Sequence, residues 1–178
     1  NRNPRELPLP ARVVDTLVLR ARSLPEPTPR VLEAAALAAA PFSAALLAPA
    51  CALSEVEAEL AFDAAHRAGL LREHEEGGHA FVHDLVQQAL ESALEPARRR
   101  SIHRRLALGA SAAGGTPARV AAHFEAGGDP QRAVPWRQRA MEQALQLMAL
   151  DEAIAHGRQA LADGAAGDDR LAVGRVLV

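Results

Sequence analysis

The sequence predicts a mainly α-helical protein with one small β-hairpin. Its 178 residues are 49% hydrophobic but only 3% aromatic, and Tyr is absent. Ala and Leu supply most of the apolar content, which favours closely packed helices over a β-sandwich. Apolar residues recur mostly at helical spacing, and only one short segment has the pattern of paired strands. A chain of this length buries a substantial core, as one medium domain or two small ones.

The charge pattern excludes several chemistries. Formal net charge is −2 and the basic residues are all Arg, so no global field attracts nucleic acid or a membrane. The absence of Lys excludes a lysine Schiff base and a P-loop lysine within this chain. A single cysteine, Cys51 in an apolar setting, excludes an internal disulfide and fits a reducing compartment.

The sequence predicts neither a membrane span nor a signal peptide in this segment. No apolar run reaches about 18 residues, the length of a membrane span. The first segment, "NRNPRELPLP", lacks the apolar core of a signal peptide and begins without Met. We therefore expect a cytoplasmic segment of a longer protein.

The first predicted element is an N-terminal helix. In "ARVVDTLVLRARSL", Val13, Val14, Leu17 and Leu24 are separated by polar residues at helical spacing. "PEPTP" then ends the helix, because each Pro removes a donor and disfavours helix in the residue before it. Residues 1–28 are thus predicted to be an N-terminal helix and linker.

Two further helices follow. Thr28 is predicted to cap the first, with Pro29 at its first position, and "RVLEAAALAAA" continues it. A short helix around "SAALLAPA" follows Pro41.

The next helix is the longest of this region. Ser54 is predicted to cap "EVEAELAFDAAHRAG", and Gly69 to end it. Val56, Leu60 and Ala64 recur every four residues and form its predicted apolar row.

A β-hairpin is predicted after this helix. "LLREH" and "HAFVH" flank "EEGG", which is a hairpin turn signal. Residues 29–83 therefore have the order helix, helix, helix, hairpin of a winged helix, and residues 29–95 are predicted to be a winged-helix domain.

The remainder is predicted to be helical hairpins. After the hairpin, one apolar row is marked by Leu85, Ala89 and Ala93, and is widened by Val86, Leu90 and Leu94. Pro96 then opens "ARRRSIHRRLALGASAA", whose predicted inward residues are Ile102, Leu106 and Ala110.

Short breaks divide the helices that follow. "GGTP" ends one helix and Thr116 caps the next, and further breaks occur at "GGDP" (127–130) and near Leu150. The pairs Ala133/Ala140 and Ala153/Ala160 share a seven-residue spacing, which indicates repeated helical units. Residues 96–178 are predicted to form a helical-hairpin array.

A winged helix suggests DNA binding, but the charges here oppose it. The third helix of that motif enters the major groove and the wing contacts the DNA backbone. In this chain that helix carries Glu55, Glu57, Glu59 and Asp63 against one basic residue, Arg67, and the wing sequence is "REHEEGGH". These acids repel phosphates, so we expect a structural or protein-contact module and no direct DNA contact.

One basic cluster has two interpretations. It consists of Arg98, Arg99, Arg100, Arg104 and Arg105. It is either a solvated helix face near a chain turn or a docking surface for an acidic partner domain. No aromatic residue interleaves the arginines, so base stacking on nucleic acid is unsupported.

Other candidate chemistry is weak. His74, His79 and His83 lie on or beside the hairpin, but their spacing matches no zinc signature, so no metal is expected. No Gly-x-Ser-x-Gly elbow or glycine-rich phosphate loop is present, and Cys51 is expected to be buried. We expect no enzyme active site within this chain. Trp136 is expected to anchor helix packing.

Three segments together resemble a known family. "VLEAAALAAAPFSAALLAPACALSEVEAELAFDAAHRAGLL" is similar to a winged-helix domain, and "AFVHDLVQQALESALEPARRRSIHRRLA" to the segment after a nucleotide-binding core. "VAAHFEAGGDPQRAVPWRQRAMEQAL" and "DEAIAHGRQAL" resemble tetratricopeptide-like helices. Their order, over roughly residues 12–163, resembles large bacterial STAND-type ATPase transcriptional regulators of the LuxR and antibiotic-regulatory kinds.

The resemblance implies a role for one histidine. In plant and animal members of this class the winged helix ends in a Met-His-Asp motif, and Val82-His83-Asp84 takes that place here. It implies that His83 contacts the β-phosphate of ADP held by a neighbouring ATPase core, and that Asp84 caps the helix and orients the imidazole. The alternative is that Asp84 is only a cap and His83 only its neighbour.

The chain also departs from the family pattern. Tetratricopeptide units normally repeat at 34 residues, whereas Ala133 and Ala153 are 20 apart, and the bulky aromatic positions are Ala, Gly and Met. The array is therefore either degenerate repeats or simple helical hairpins. The P-loop, the Walker B acid and a DNA-binding output domain are not found in this sequence.

The resemblance implies a regulatory function, with ATP or ADP as cofactor of the parent protein. The winged helix would gate the nucleotide-bound resting state, and the helical array would sense a protein or small-molecule signal. The alternative is a stand-alone helical protein-interaction adaptor with no nucleotide link.

Overall fold

The protein is mainly α-helical and contains a small β-hairpin, as predicted. The computed structural model describes residues 11–39 and 41–164. The chain divides into two compact units, Asn1–Glu95 and Pro96–Val178.

The described elements follow one another along the chain with short connections. They are α1 (Ala11–Arg22), α2 (Thr28–Ala38), α3 (Ala44–Cys51), α4 (Glu55–Arg67), β1 (Leu71–Glu73), β2 (His79–Phe81), α5 (Asp84–Ser92), α6 (Pro96–Ala112), α7 (Pro117–Ala126), α8 (Pro130–Gln146) and α9 (Leu150–Ala162).

Helix α2 is the centre of the first unit. Eight of its eleven residues are buried, and it packs against α3, α4 and α5 as well as the N-terminal helix α1. Leu32 of α2, Leu47 of α3 and Phe62 of α4 are almost fully buried. Cys51 is buried as predicted, and its carbonyl accepts a hydrogen bond from Arg30 of α2 at 2.7 Å. The α-helical part of the predicted winged helix thus shares one core.

The hairpin is joined to the helices through Phe42. β1 and β2 pair antiparallel, with Leu71 opposite Phe81. Phe42, between α2 and α3, pairs with His79 of β2 through two backbone hydrogen bonds of 3.0 and 2.8 Å. Gly78 precedes this bridge with φ +77°, and a Cβ there would lie 2.8 Å from the Phe42 carbonyl oxygen. The bridge therefore requires a glycine in the "EEGG" turn.

The predicted cap at Thr28 is wrong. Thr28 is the first residue of α2 and is buried, Pro27 is the N-cap, and no side chain caps this end. The Thr28 N–H donates to the Pro25 carbonyl at 3.0 Å, and Pro29 has no N–H. Among the first N–H positions of the helix, one is therefore already hydrogen-bonded and one is absent. This reduces the number of donors that a side-chain cap would have to satisfy.

The predicted apolar row of α4 is also wrong. Val56 and Leu60 are 70% and 61% exposed. The buried residues of this helix are instead Ala58, Ala61, Phe62 and Ala65. Both rows have helical spacing, and the core takes the one that contains the aromatic ring because that ring buries the most apolar area.

Helix α5 shows the same kind of difference. The sequence predicts a main apolar row at Leu85, Ala89 and Ala93 and a second row that widens it. The buried row is the second one, which consists of Val86, Leu90 and Leu94. Leu85 and Ala93 are exposed. The side-chain amide of Gln87 donates to the Ala36 carbonyl of α2 at 3.0 Å, which fixes the rotation of α5 about its axis.

The second unit is a series of helices that pack on their neighbours in sequence. α6 packs on α7, α7 on α8 and α8 on α9. The predicted inward residues of α6 are buried, as are the four alanines at seven-residue spacing: Ile102, Leu106, Ala110, Ala133, Ala140, Ala153 and Ala160. Small side chains at these contacts let the helix axes approach closely. Trp136 is half-buried, with the Arg139 guanidinium 4.6 Å from its ring centroid.

None of the helices in the described ranges is both long enough and apolar enough to cross a membrane.

We predict that Ser54→Ala lowers the free energy of unfolding of this protein by about 1 kcal/mol. Ser54 begins α4 with a capping box: its Oγ accepts from the Glu57 N–H, and the Glu57 carboxylate accepts from the Ser54 N–H at 2.8 Å. Urea-induced unfolding followed by circular dichroism measures the change.

Ser43→Ala is the matched control. Ser43 is also an exposed N-cap residue, at the start of α3, but its side chain makes no capping hydrogen bond. Its replacement is expected to change the unfolding midpoint much less. Equal losses in the two variants would show that the capping box of α4 is not a source of stability.

Candidate functional site

His83 lies at the junction between the hairpin and α5. Its backbone is extended, with φ −135° and ψ 126°, and its side chain is exposed. The chain is held on both sides: the Val82 N–H donates to the Leu70 carbonyl, and the Val86 N–H donates to the His83 carbonyl, both at 3.0 Å. Backbone hydrogen bonds thus fix the position of His83, and its imidazole does not cap α5.

The predicted role of Asp84 as the cap of α5 is wrong, and its orientation of the His83 imidazole stays a prediction. His83 itself is the N-cap residue of α5, and Asp84 is the first helical residue. No side-chain hydrogen bond caps this end. The carboxylate of Asp84 lies in the first turn, where a negative charge complements the helix dipole. The Val86 N–H of that turn donates to the His83 carbonyl, whereas the N–H groups of Asp84 and Leu85 have no acceptor within the helix, so the imidazole lies beside two backbone donors suited to an anion.

The three histidines of the hairpin region do not converge. His74 lies in the turn, where its Nδ1 accepts from the Glu76 N–H at 3.2 Å. His79 contacts α4, and His83 lies at the start of α5. Within residues 11–39 and 41–164, no group of three His, Cys, Asp or Glu side chains is placed to hold a metal ion.

His79 packs the hairpin onto α4. Its Nδ1 lies 2.9 Å from Nε2 of His66, and its ring centroid lies 4.4 Å from that of Phe62. Its Nε2 lies 3.9 Å from a carboxylate oxygen of Glu59. Burial lowers the pKa of His79 and the neighbouring His66 lowers it further, whereas nearby carboxylates oppose both effects. A single N–H shared between the two ring nitrogens satisfies this contact.

The outer surface of α4 is acidic and apolar. The exposed residues Val56 and Leu60 form one row, and Glu59 and Asp63 form a second row beside it. The hairpin turn adds exposed carboxylates at Glu75 and Glu76 (with Glu73 on β1). These surfaces correspond to the recognition helix and wing of a DNA-binding winged helix, and both carry the charge that phosphates repel.

The predicted docking arginines lie on α6 but do not form one uniform surface. Arg98, Arg100 and Arg104 are exposed, whereas Arg99 and Arg105 are half-buried. Arg104 donates to the Gly127 carbonyl at 3.2 Å. A Cβ on Gly127 would lie 2.6 Å from Cγ of Arg104, so the side chain of Arg104 packs directly on the turn between α7 and α8. Arg104 therefore stabilises the array as well as facing solvent.

A second histidine pair joins α6 to α7. Nδ1 of His103 lies 3.0 Å from Nδ1 of His123, and His123 is only 6% exposed. Burial lowers the pKa of His123 to about 4, with further lowering by His103 and Arg119. Its Nε2 is buried and has no hydrogen-bond partner among the described residues. The fold therefore holds this imidazole neutral.

A polar network spans α7, α8 and α9. Arg137 donates two hydrogen bonds to the Glu125 carboxylate, at 2.6 and 2.7 Å, and lies 3.1 Å from Nδ1 of His156. Burial raises the pKa of Asp163, the hydrogen bond from Gln159 lowers it, and the nearby Glu125 carboxylate raises it again. The network fixes the register of three consecutive helices, and nothing in the sequence spacing signals it, because its members come from separate helices.

The turn between α8 and α9 exposes large apolar side chains. Leu147, Met148 and Leu150 are 73%, 78% and 56% exposed. Met148 has φ +57°, a left-handed conformation that a non-glycine residue seldom adopts. Exposed apolar residues grouped in this way are typical of contact surfaces. The sequence shows the break near Leu150, but the exposure of these side chains depends on how α8 and α9 pack.

We predict that stability falls as pH is lowered from about 6.5 to about 4. The pKa of His123 in the folded protein is about 4, below the ordinary value of 6.5, so the unfolded chain binds the extra proton over this range. The contribution of the neutral His123 to stability is fully present above the pKa that this histidine has in the unfolded chain. It is lost as pH falls towards the pKa in the folded protein. The full shift corresponds to at most about 3 kcal/mol.

His123→Gln tests this assignment, because glutamine keeps a hydrogen-bonding group but does not titrate. Urea unfolding at a series of pH values should show a shallower dependence in this variant. His83→Gln, which removes an exposed imidazole outside this pair, is the control for the His-to-Gln substitution itself. An unchanged slope in His123→Gln would show that another group causes the pH dependence.

Comparison with known proteins finds no match: no family model, no curated protein and no solved structure matches the chain.

Proposed function

We propose that this chain is a regulatory segment of a STAND-type ATPase transcriptional regulator. In this proposal the first unit contacts a nucleotide-binding core and stabilises its ADP-bound resting state. The second unit binds a protein or small-molecule signal. Support comes from the family resemblance of the sequence, from the three-helix and hairpin order of the first unit, and from the stacked helices of the second.

The position of His83 is the observation on which the proposal depends. Backbone hydrogen bonds fix the residues on either side, yet the imidazole is exposed and caps nothing. A side chain that the fold positions but does not use is available to a ligand outside this chain.

The local electrostatics suit a phosphate. The imidazole lies at the N-terminal end of α5, where the N–H groups of Asp84 and Leu85 and the positive end of the helix dipole favour an anion, and the Asp84 carboxylate offsets part of that attraction. A phosphate contact that His83 makes only in the ADP-bound resting state stabilises that state alone. A switch requires such a difference in interaction between its two states. The nucleotide itself would be held by the P-loop of the parent protein, since this chain contains no Lys.

The charge distribution favours protein contacts over DNA contacts. The outer surface of α4 and the hairpin turn are acidic, so they repel a DNA backbone. On α6, the exposed Arg100 suits an acidic partner domain, and Arg104 is exposed but also donates to the α7–α8 turn. We propose a non-enzymatic role for both units.

We predict that His83→Ala accelerates ADP release from the complete protein about tenfold, the effect of losing one hydrogen bond to a charged group. Fluorescent ADP displaced by excess unlabelled ADP measures the rate. His74→Ala is the matched control, because His74 faces the hairpin turn and should leave the rate unchanged. The far-ultraviolet circular dichroism of the 178-residue chain should be the same in both variants.

An unchanged ADP release rate in His83→Ala would contradict the nucleotide-sensor role. An equal acceleration in His74→Ala would show that the effect comes from a general disturbance of the hairpin.

A protein-interaction adaptor without a nucleotide link is the second candidate. The exposed turn at Leu147, Met148 and Leu150 favours it, because this apolar group belongs to the helical array and needs no nucleotide to act as a contact. The two candidates differ in a simple measurement. Saturating ADP should raise the melting temperature of the complete protein if it contains a nucleotide switch, and should leave it unchanged if the protein is an adaptor.

A further inference from the structure

The outer side of α4 is an exposed helix surface with an ordered pattern. We call it the acidic–apolar surface and define it by Glu55, Val56, Glu59, Leu60 and Asp63. Val56 and Leu60 are among the most exposed large apolar side chains of the described residues, at 70% and 61%. Residues four apart lie on one side of a helix, so the apolar row and the acidic row run in parallel.

The core of the first unit does not use this surface. α4 packs through Ala58, Ala61, Phe62 and Ala65, which lie on its opposite side and are at most 2% exposed. The capping box between Ser54 and Glu57 and the contact of Phe62 with His79 hold the helix in this rotation. The outward position of Val56 and Leu60 is therefore a fixed property of the fold.

Carboxylates extend from α4 onto the hairpin. Glu59 lies 3.9 Å from His79 of β2, which links the helix surface to the strands. Exposed acids continue along β1 and the turn, at Glu73, Glu75 and Glu76. The exposed basic residues on these elements are Arg67 and Arg72. The excess of negative charge selects a basic partner and opposes both DNA and an anionic membrane.

We propose that the acidic–apolar surface binds a basic amphipathic helix of a partner protein. Its apolar residues, spaced four apart, pack against Val56 and Leu60, and Arg or Lys on either side pairs with Glu59 and Asp63. Rows of residues four apart on two helices interdigitate in the commonest helix–helix packing, so a helix fits this surface better than an extended peptide. The apolar contact supplies affinity, and the charges supply orientation and choice of partner.

This contact does not depend on the proposed nucleotide switch. It involves neither His83 nor a nucleotide, so it can hold if ADP release is insensitive to His83, and it can fail while the switch is confirmed.

The test uses the 178-residue chain and a synthetic helical peptide. The probe is a fluorescent helical peptide of about 18 residues, roughly five helical turns. Leu at every fourth position forms one apolar row, and Lys residues lie on both sides of that row. Fluorescence anisotropy at low and high salt should show saturable binding, with a Kd of roughly micromolar order that weakens at high salt. The same peptide with Glu in place of Lys should bind at least tenfold more weakly.

Two substitutions locate the contact on α4. Leu60→Ser should weaken binding of the Lys peptide about tenfold, because it removes half of the apolar row. The double variant Glu59→Gln, Asp63→Asn should weaken binding at low salt and reduce the salt dependence. Each position is exposed, so the fold should be retained.

Matched controls come from the second unit. Leu108→Ser removes an apolar side chain of α6 that is 48% exposed, and Glu142→Gln removes an exposed carboxylate of α8. Both should leave the Kd unchanged.

Four results would overturn the proposal. They are the absence of saturable binding, equal binding of the Glu peptide, equal losses in Leu60→Ser and Leu108→Ser, and self-association of the chain that Leu60→Ser abolishes. The last of these would identify a second copy as the occupant of the surface.

Discussion

The first unit depends on the bridge between Phe42 and His79. Two backbone hydrogen bonds there attach the hairpin to the segment between α2 and α3, and the Phe42 ring lies 5.9 and 6.0 Å from the rings of Phe62 and Phe81. Three of the four phenylalanines of the chain thus meet at one place. In a chain with so few aromatic residues, this cluster supplies the large buried side chains that join helices to strands.

Two surfaces of functional interest follow from this attachment. Because Phe62 packs against the hairpin, the opposite side of α4 faces solvent. Val56 and Leu60 lie on that side. Once β2 is fixed, the chain enters α5 with His83 exposed at its first turn. One surface suits a basic helix and the other suits an anion. The same core therefore positions both proposed contacts, which differ in charge preference.

The second unit is built on a different principle. Small residues such as Ala133, Ala153 and Gly157 line its helix contacts, so the helices pack closely but bury little area per residue. Specific alignment comes from polar pairs between neighbouring helices, namely His103 with His123 and Glu125 with Arg137. A buried neutral imidazole and a half-buried ion pair tolerate few alternative arrangements, since each shift leaves a polar group without its partner.

The sequence by itself determined the helix positions, the hairpin and the breaks between helices, because caps, prolines, glycine turns and helical spacing act over a few neighbouring residues. Ser54, Thr116 and the "EEGG" turn are examples. Only the tertiary structure decided which side of each helix is buried. In α4 and α5 two apolar rows satisfy the same periodicity, and the choice between them depends on distant partners, Phe42 for α4 and Ala36 for α5. The exposure of Val56, Leu60 and His83, and the pairing of His103 with His123, follow from that choice.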